Sequence, residues 1–455
     1  MPRRTPRPAA HDLERYAGLF ASRTRAMKSS AMRDLMAITE RPEVISLAGG
    51  LPDTSTFPAE SFASIMAKVA VDSCAAALQY GPTEGLGIAK DAIRHVMAAE
   101  GTEVDPEDIL VTTGGQQVID LVSKTLLDPG DVVVAEAPTY PGAIPSFCSY
   151  EADVVQIEMD GDGMPIDVLE ETLDRLEAEG RRPKFIYTIP NFQNPGGVTM
   201  SLPRRRRLVE VAREREILVL EDNPYGLLRY EGAPLPTLLS LGGAGYTIYL
   251  GTFSKILSAG LRLGWAVAPA PVLAKMNLGK QGADLCSSSL TQHFVAAYFA
   301  EGRWEPYLES LRDLYRSRRD VLLEALREHF PAGATWTQPE GGLFVWATLP
   351  EGLDTTDLLA RALQRNVAFV PGRGAYLDGR GATSMRLNFS GVGEHDIREG
   401  VRRIGEVVAE QLELLHAISG MPAPAPAAAP PQADPALADV LHLRPPGTRE
   451  ARRSS

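Results

Sequence analysis

The stretch TIYLGTFSKILSAGLRLGWAVAP (247–269) decides the fold. An apolar run, TIYLGT, stops at Phe253-Ser254-Lys255, and a second run, LGWAVAP (263–269), follows after a short turn-rich segment. Both runs place apolar residues on consecutive positions, as strands buried on two faces do. Working outward, the same pattern recurs in DILVTT (108–113), VVVAEAP (132–138), ADVVQIEM (152–159), KFIYTIP (184–190) and ILVLED (217–222). Amphipathic helical patterns such as QQVIDLVSKTLLD (116–128) and LPRRRRLVEVARERE (202–216) lie between several of them. This alternation predicts an α/β fold with a largely parallel sheet. A second group, GGLFVWATLP (341–350), VAFVPG (367–372) and SMRLNFS (384–390), predicts a smaller α+β domain.

The composition is consistent with that architecture. The chain has 455 residues, 44 % of them hydrophobic and 23 % charged, enough for a sizeable core. A formal net charge of −12 argues against a nucleic-acid partner, which needs a basic face. The three cysteines, Cys74, Cys148 and Cys286, show neither a disulfide framework nor a metal-ligand spacing, and the histidines form no HExxH pattern. No metal is expected. The basic N-terminus (Arg3, Arg4, Arg7) lacks the apolar stretch of a secretory signal. No apolar run reaches the ~18 residues of a membrane span. A soluble, cytoplasmic protein without a membrane partner is expected. Residues 1–14 read as a disordered N-terminus, with a helix over about Arg15–Ala37 inside an N-terminal segment, 15–60. A large domain is expected over 61–300 and a small one over 301–418. The Pro/Ala-rich 419–455 reads as a flexible tail.

In open α/β sheets ligands bind outside the carboxyl ends of the strands. At the end of DILVTT stand Gly114-Gly115-Gln116, followed at once by a helix, a geometry that suits a phosphate and equally a plain turn. ILVLED closes on Asp222, then Asn223-Pro224-Tyr225; a buried carboxylate needs a partner, although an Asp here is also a common cap. Lys255 at the end of TIYLGT is either a desolvated, nucleophilic amine or a surface lysine. Tyr140 follows VVVAEAP, and Asn194 follows KFIYTIP in NFQNPGG. Each is ordinary alone. Together these strand ends carry an anion cradle, an aromatic face, polar donors, a carboxylate and an amine. That is what a pyridoxal ring requires.

TFSKILSAGLRLGW (252–265), NFQNPGG (191–197) and EDNPYG (221–226) resemble the pyridoxal 5′-phosphate (PLP) aminotransferases of fold type I, class I/II. SLAGGLPD (46–53), LQYGPTEGLG (78–87) and KQGADL (280–285) are similar to the 2-aminoadipate and kynurenine aminotransferase subgroup. The resemblance implies a large domain with a mostly parallel seven-stranded sheet, a small α+β domain, PLP as cofactor, and a homodimer with shared active sites. It also implies ping-pong transfer of an amino group from an L-amino acid to a 2-oxo acid, with 2-oxoglutarate and glutamate as the expected pair. By resemblance, Lys255 would anchor the cofactor covalently and carry the proton, Asp222 would keep the ring nitrogen protonated, and Asn194 and Tyr225 would hold the phenolic oxygen. Tyr140 would stack on the ring. Gly115, Gln116, Ser254 and Arg262 would bind the phosphate, with Tyr80 reaching the neighbouring subunit's. Arg386 would clamp the substrate carboxylate beside Asn194 and Gly50. Arg23 (or Arg25) could meet a side-chain carboxylate; a solvated basic face is the plainer reading. Two positions depart from the family pattern: Gly115 stands where relatives usually have Ser, and Gly196 where they have Thr. A β-lyase, a decarboxylase or a PLP oxidase would share Lys255 and Asp222, and Arg386 favours transamination over these. A PLP-sensing regulator would need a DNA-binding module ahead of Ser46, where the chain is short.

Overall fold

The computed structural model describes residues 16–25, 27 and 41–419. The expected N-terminal disorder at 1–14 and the tail beyond 419 lie outside them. Of the helix expected over Arg15–Ala37, the described part is two single turns, Ala17–Leu19 and Ser22–Arg25. Leu19, in the first turn, and Phe20, just after it, stand in solvent.

A short strand β1 (Ile45–Ser46) precedes the main sheet. That sheet comprises β2 (Ile109–Thr112), β3 (Val132–Ala137), β4 (Asp153–Glu158), β5 (Pro183–Thr188), β6 (Leu218–Asp222), β7 (Thr247–Thr252) and β8 (Gly264–Val267). Their order is β2-β8-β7-β6-β5-β3-β4. All seven expected strands are present. Only β8 runs against its neighbours, pairing antiparallel with both β7 and β2. Side chains alternate between two cores. Val132, Val134, Ile186 and Val219 pack with the helices Ile166–Ala178 and Leu202–Glu214, whereas Val133, Phe185, Tyr187 and Leu220 share the core of the helix Gly115–Leu126. Because the strands are mostly parallel, the carboxyl ends of β3, β5, β6 and β7 open on one edge.

The second group of strands forms a four-stranded antiparallel sheet from β9 (Thr335–Trp336), β10 (Phe344–Thr348), β12 (Val370–Pro371) and β13 (Ser384–Asn388). VAFVPG divides in two. Val367–Ala368 (β11) pairs in parallel with β1, and after the buried Phe369 the chain enters the other sheet as β12. The two-residue strand β9 had no signal in the sequence, being too short for a period. The long helices Trp304–His329 and Glu394–Ser419 pack together against this end of the molecule.

Residues 46–56 cross from one sheet to the other and are strapped down. Asp53 accepts from the Ser55 amide at 2.8 Å and from Arg318 Nη2 at 2.6 Å, while Arg318 Nη1 donates to the Ser390 carbonyl. Burial alone would raise the Asp53 carboxyl, but the bonds from Ser55 and Arg318 together take it below its ordinary value. Replacing Arg318 by Ala, which leaves the buried Asp53 carboxylate with the Ser55 amide alone, should cost about 3 kcal/mol. A melting temperature lowered by a few degrees is the expected result; no change would mean the segment is held by its backbone bonds alone.

Candidate active site

At the end of β2 the chain turns through Gly114, at φ 81°, directly into the helix Gly115–Leu126. A Cβ on Gly114 would stand 2.4 Å from Arg262 Nη2, so the glycine lets the guanidinium close over the turn. Arg262 itself has left-handed backbone, φ 51°, and donates to the Thr113 carbonyl at 3.4 Å. The amides of Gly115 and Gln116 make no backbone hydrogen bond among the described residues. Two free amides, a helix N-terminus and a guanidinium make a cradle for a dianion. The Gln116 side chain is committed elsewhere, donating to the Gly142 carbonyl and to Ser146 Oγ at 2.9 Å each. Only its main chain faces the cradle. The departure at Gly115 has a local cause: a Cβ there would meet a Leu250 methyl at 2.9 Å. At Gly196 a Cβ would stand 2.9 Å from Gln193 Oε1, which accepts the Gly196 amide at 2.7 Å.

Lys255 lies beyond β7, beside Ser254, whose amide donates to Thr252 Oγ1 at 3.2 Å. Lys255 Nζ donates to the Gly50 carbonyl at 2.5 Å. Burial, with the charges of Arg386 and Arg262, brings its pKa down to about 8. Asp222, at the end of β6, is 4 % exposed. Its Oδ2 accepts from Tyr187 at 2.7 Å. Burial lifts its carboxyl to about 7; the Tyr187 bond opposes the rise and the Glu136 charge adds to it. A buried carboxyl so poised calls for a cationic or N–H partner.

Tyr140 lies over Gly142, where a Cβ would be 2.4 Å from its ring. Burial, and next the charge of Asp222, raise the Tyr140 hydroxyl. Asn194 Nδ2 approaches Tyr225 Oη at 3.4 Å, and its Oδ1 accepts from Arg386 Nη1 at 2.9 Å. Arg386 Nη2 donates to the Ala48 carbonyl at 2.8 Å, and the guanidinium lies 4.4 Å over the Phe344 ring. Burial reduces the Arg386 pKa to about 10.

Gly115, Gln116, Tyr140, Asn194, Asp222, Tyr225, Ser254, Lys255 and Arg262 all line one cavity of about 210 Å³. Arg386 joins it through Asn194, and Gly50 through Lys255. Tyr80 is 78 % exposed and outside the cavity. Arg23 is exposed on its turn, where its charge is felt by Tyr150 rather than by any group of the cavity. A larger hollow, about 640 Å³, lies between the helices 166–178 and 202–214 and is walled by opposed charges such as Arg215 and Glu177. It holds no comparable set of groups. Sequence reasoning missed Tyr187, Thr252, Glu136 and Phe344. In strands buried on both faces such residues follow no polar period, so only their neighbours reveal them.

The site could hold PLP on its own chemistry. The cradle matches a phosphate, the poised Asp222 a pyridinium nitrogen, Lys255 an aldehyde, and Asn194 with Tyr225 a phenolic oxygen. These features define a fold type I PLP enzyme. The sequence model of the class I and II aminotransferases matches residues 42–404. The chain is 43 % identical over 403 residues to aromatic-amino-acid aminotransferase 1 of Thermococcus litoralis, covering 88 % of this chain and 96 % of that one. It is 41 % identical over 403 residues to the 2-aminoadipate transaminase of Thermus thermophilus, covering 88 % and 99 %. The structure of Pyrococcus horikoshii kynurenine aminotransferase with PMP superposes with a TM-score of 0.84 at 42 % identity, covering 88 % of this chain and 98 % of that one. The chain belongs to the class I and II aminotransferases and is a PLP-dependent transaminase.

Since only the neutral amine attacks an aldehyde, covalent capture of PLP by the cofactor-free protein should accelerate as pH rises through about 8 and then level off. Stopped-flow absorbance checks this; a rate still climbing beyond pH 10 would mean an ordinary, solvated lysine.

Proposed function

We propose that this enzyme moves the amino group of an L-amino acid to a 2-oxo acid, with 2-oxoglutarate and glutamate as one pair, through the residues assembled around Lys255. The observation that carries it is a shared wall. Arg386 is bonded to Asn194, and its charge reaches Lys255, so a carboxylate held by Arg386 brings an amino acid's Cα towards the amine. Bound PLP supplies an electron sink for the electrons of the Cα–H bond. Lys255, with its lowered proton affinity, would take the proton from the substrate's Cα and hold it for return. Asp222 would hold the ring nitrogen, and Asn194 and Tyr225 would bind the phenolic oxygen. Tyr140 would cover the ring, while Gly115, Gln116, Ser254 and Arg262 would receive the phosphate. The Gly50 carbonyl steadies the lysine amine between transfers.

The relatives' names point to aromatic amino acids and 2-aminoadipate as the first donors to try. Arg23, exposed beside Tyr150, is given no part. A homodimer belongs to the proposal, with Tyr80 serving the partner's phosphate. In its favour, Val71, Leu78 and Tyr80 are 81, 72 and 78 % exposed, an apolar surface that a second copy would cover; a monomer in sedimentation would remove this part. We also infer a cytoplasmic location, which the absence of disulfides among the three cysteines favours. Secretion of the native protein into an oxidising compartment would contradict it. The large and small domains are taken as 61–300 and 301–418; limited proteolysis cutting well inside either span would redraw them.

Adding an active donor should convert the visible absorbance of the PLP-loaded protein to a near-ultraviolet band with release of a 2-oxo acid. Lys255→Ala should abolish this conversion, and near-normal turnover would sink the assignment. A lyase or decarboxylase would give pyruvate with ammonia, or CO2, and no such conversion. Arg386→Lys loses the two-pronged clamp and should lower kcat/KM by roughly 10- to 100-fold, mainly through KM. An unchanged KM would place the carboxylate elsewhere.

A further inference from the structure

Tyr187 is 1 % exposed, with its ring edge-on to Phe147 at 5.4 Å. It stands on β5, one strand from Asp222 on β6, and its hydroxyl reaches the carboxylate at 2.7 Å. No other side chain donates to that carboxylate among the described residues. The neighbouring buried acid, Glu136 on β3, is engaged differently: it accepts from Thr188 Oγ1 and, at 3.1 Å, from the Ile189 amide. Asp222 therefore has one oxygen fixed and one left over. A short side chain with a single anchor on Oδ2 cannot rotate freely about its last bond, so the hydroxyl determines where Oδ1 points.

We propose that Tyr187 is a positioning residue: its hydroxyl fixes the plane of the Asp222 carboxylate so that the remaining oxygen meets the ring nitrogen of bound PLP. This rests on the role given to Asp222 above. Burial, strengthened by the charge of Asp222, keeps the Tyr187 hydroxyl protonated and therefore a donor at every working pH. The Tyr187 hydroxyl bonds to Asp222 and to neither Tyr140 nor the phosphate turn, so its removal should be felt chiefly through the nitrogen.

That selectivity is the test. Cofactor-free wild type and Tyr187→Phe are titrated, by quenching of protein fluorescence, with PLP and with the analogue carrying a carbon in place of the ring nitrogen. Wild type should bind PLP more tightly than the analogue. In Y187F the PLP dissociation constant should rise about tenfold, the loss expected of one charge-assisted hydrogen bond, and the analogue's less than twofold. Y187F removes one oxygen and keeps the packed ring. Tyr187→Leu removes the ring as well and should show the same selectivity, so whichever variant melts near wild type decides. Equal weakening of both ligands, or an unchanged PLP constant, would overturn the role of Tyr187. If wild type itself bound both ligands alike, the assignment of Asp222 would fall instead.

Discussion

A carboxylate at the end of a strand buried on both faces is the constraint around which the rest of this molecule is arranged. Asp222 can be there only because the parallel sheet delivers it to the edge where β5, β6 and β7 end together. It is nearly fully buried, one hydroxyl answers it, and its carboxyl is pushed up to about 7, with burial the chief cause. Of the cavity's cations, Arg262 stands at the phosphate-type turn and Lys255 at the Gly50 carbonyl, neither in contact with this acid. The cavity thus offers a negative floor at one place and positive groups at another. A ligand with a protonated ring nitrogen and a phosphate satisfies both at once, which explains why buried charges that would be costly alone coexist here.

The loops that carry the polar side chains are themselves tied from behind. Arg205 is fully buried and donates to the carbonyls of Met200 at 2.9 Å and Pro190 at 2.7 Å, and to Asn191 Oδ1 at 2.7 Å, gripping both ends of the loop that holds Asn194. Asn191 Nδ2 then donates to Asn223 Oδ1 at 2.9 Å, joining this loop to the turn between Asp222 and Tyr225. Asn223 Nδ2 in turn meets Glu100, which also accepts from Tyr249 at 2.6 Å. Burial holds the Glu100 carboxyl up at about 7. A Cβ on Gly226 would lie 2.2 Å from Glu100 Oε1, so the turn closes only over a glycine. A connected polar network of this kind fixes geometry in a way that apolar packing, which tolerates sliding, does not.

The crossing segment 46–56 links the two sheets to one another through the site. The Ala48 carbonyl holds Arg386, the Gly50 carbonyl holds Lys255, and Asp53 is clamped to Arg318. Arg386 and Lys255 are therefore referred to one short piece of backbone. Main-chain carbonyls suit this task, because their position is set by the chain and not by a rotamer.

Much of this was legible in the sequence because local chemistry marks it. Apolar runs marked all seven strands of the main sheet; the inner ones are consecutive because a strand buried twice has no polar face to interrupt it, whereas the edge strand β4 is only partly buried and carries Gln156 and Glu158. Glycine at 114 and the polar residues at the strand ends were visible because turns and charges there break the apolar pattern. Other features depend on residues far apart in the chain. That β8 runs antiparallel, that VAFVPG serves two sheets, and that Gln116 turns its side chain to Gly142 and Ser146 are matters of which neighbour is nearest. Tyr187 and Phe344 looked like any core aromatic until β6 and β13 were laid beside them. The sequence by itself determined which groups stand at the ends of the strands, because burial and turn formation are local demands on residue type. Only the tertiary structure decided which of those groups touch, because a hydrogen bond between Asn194 and Arg386 is a property of two chain segments brought together by packing, and no local pattern encodes their distance.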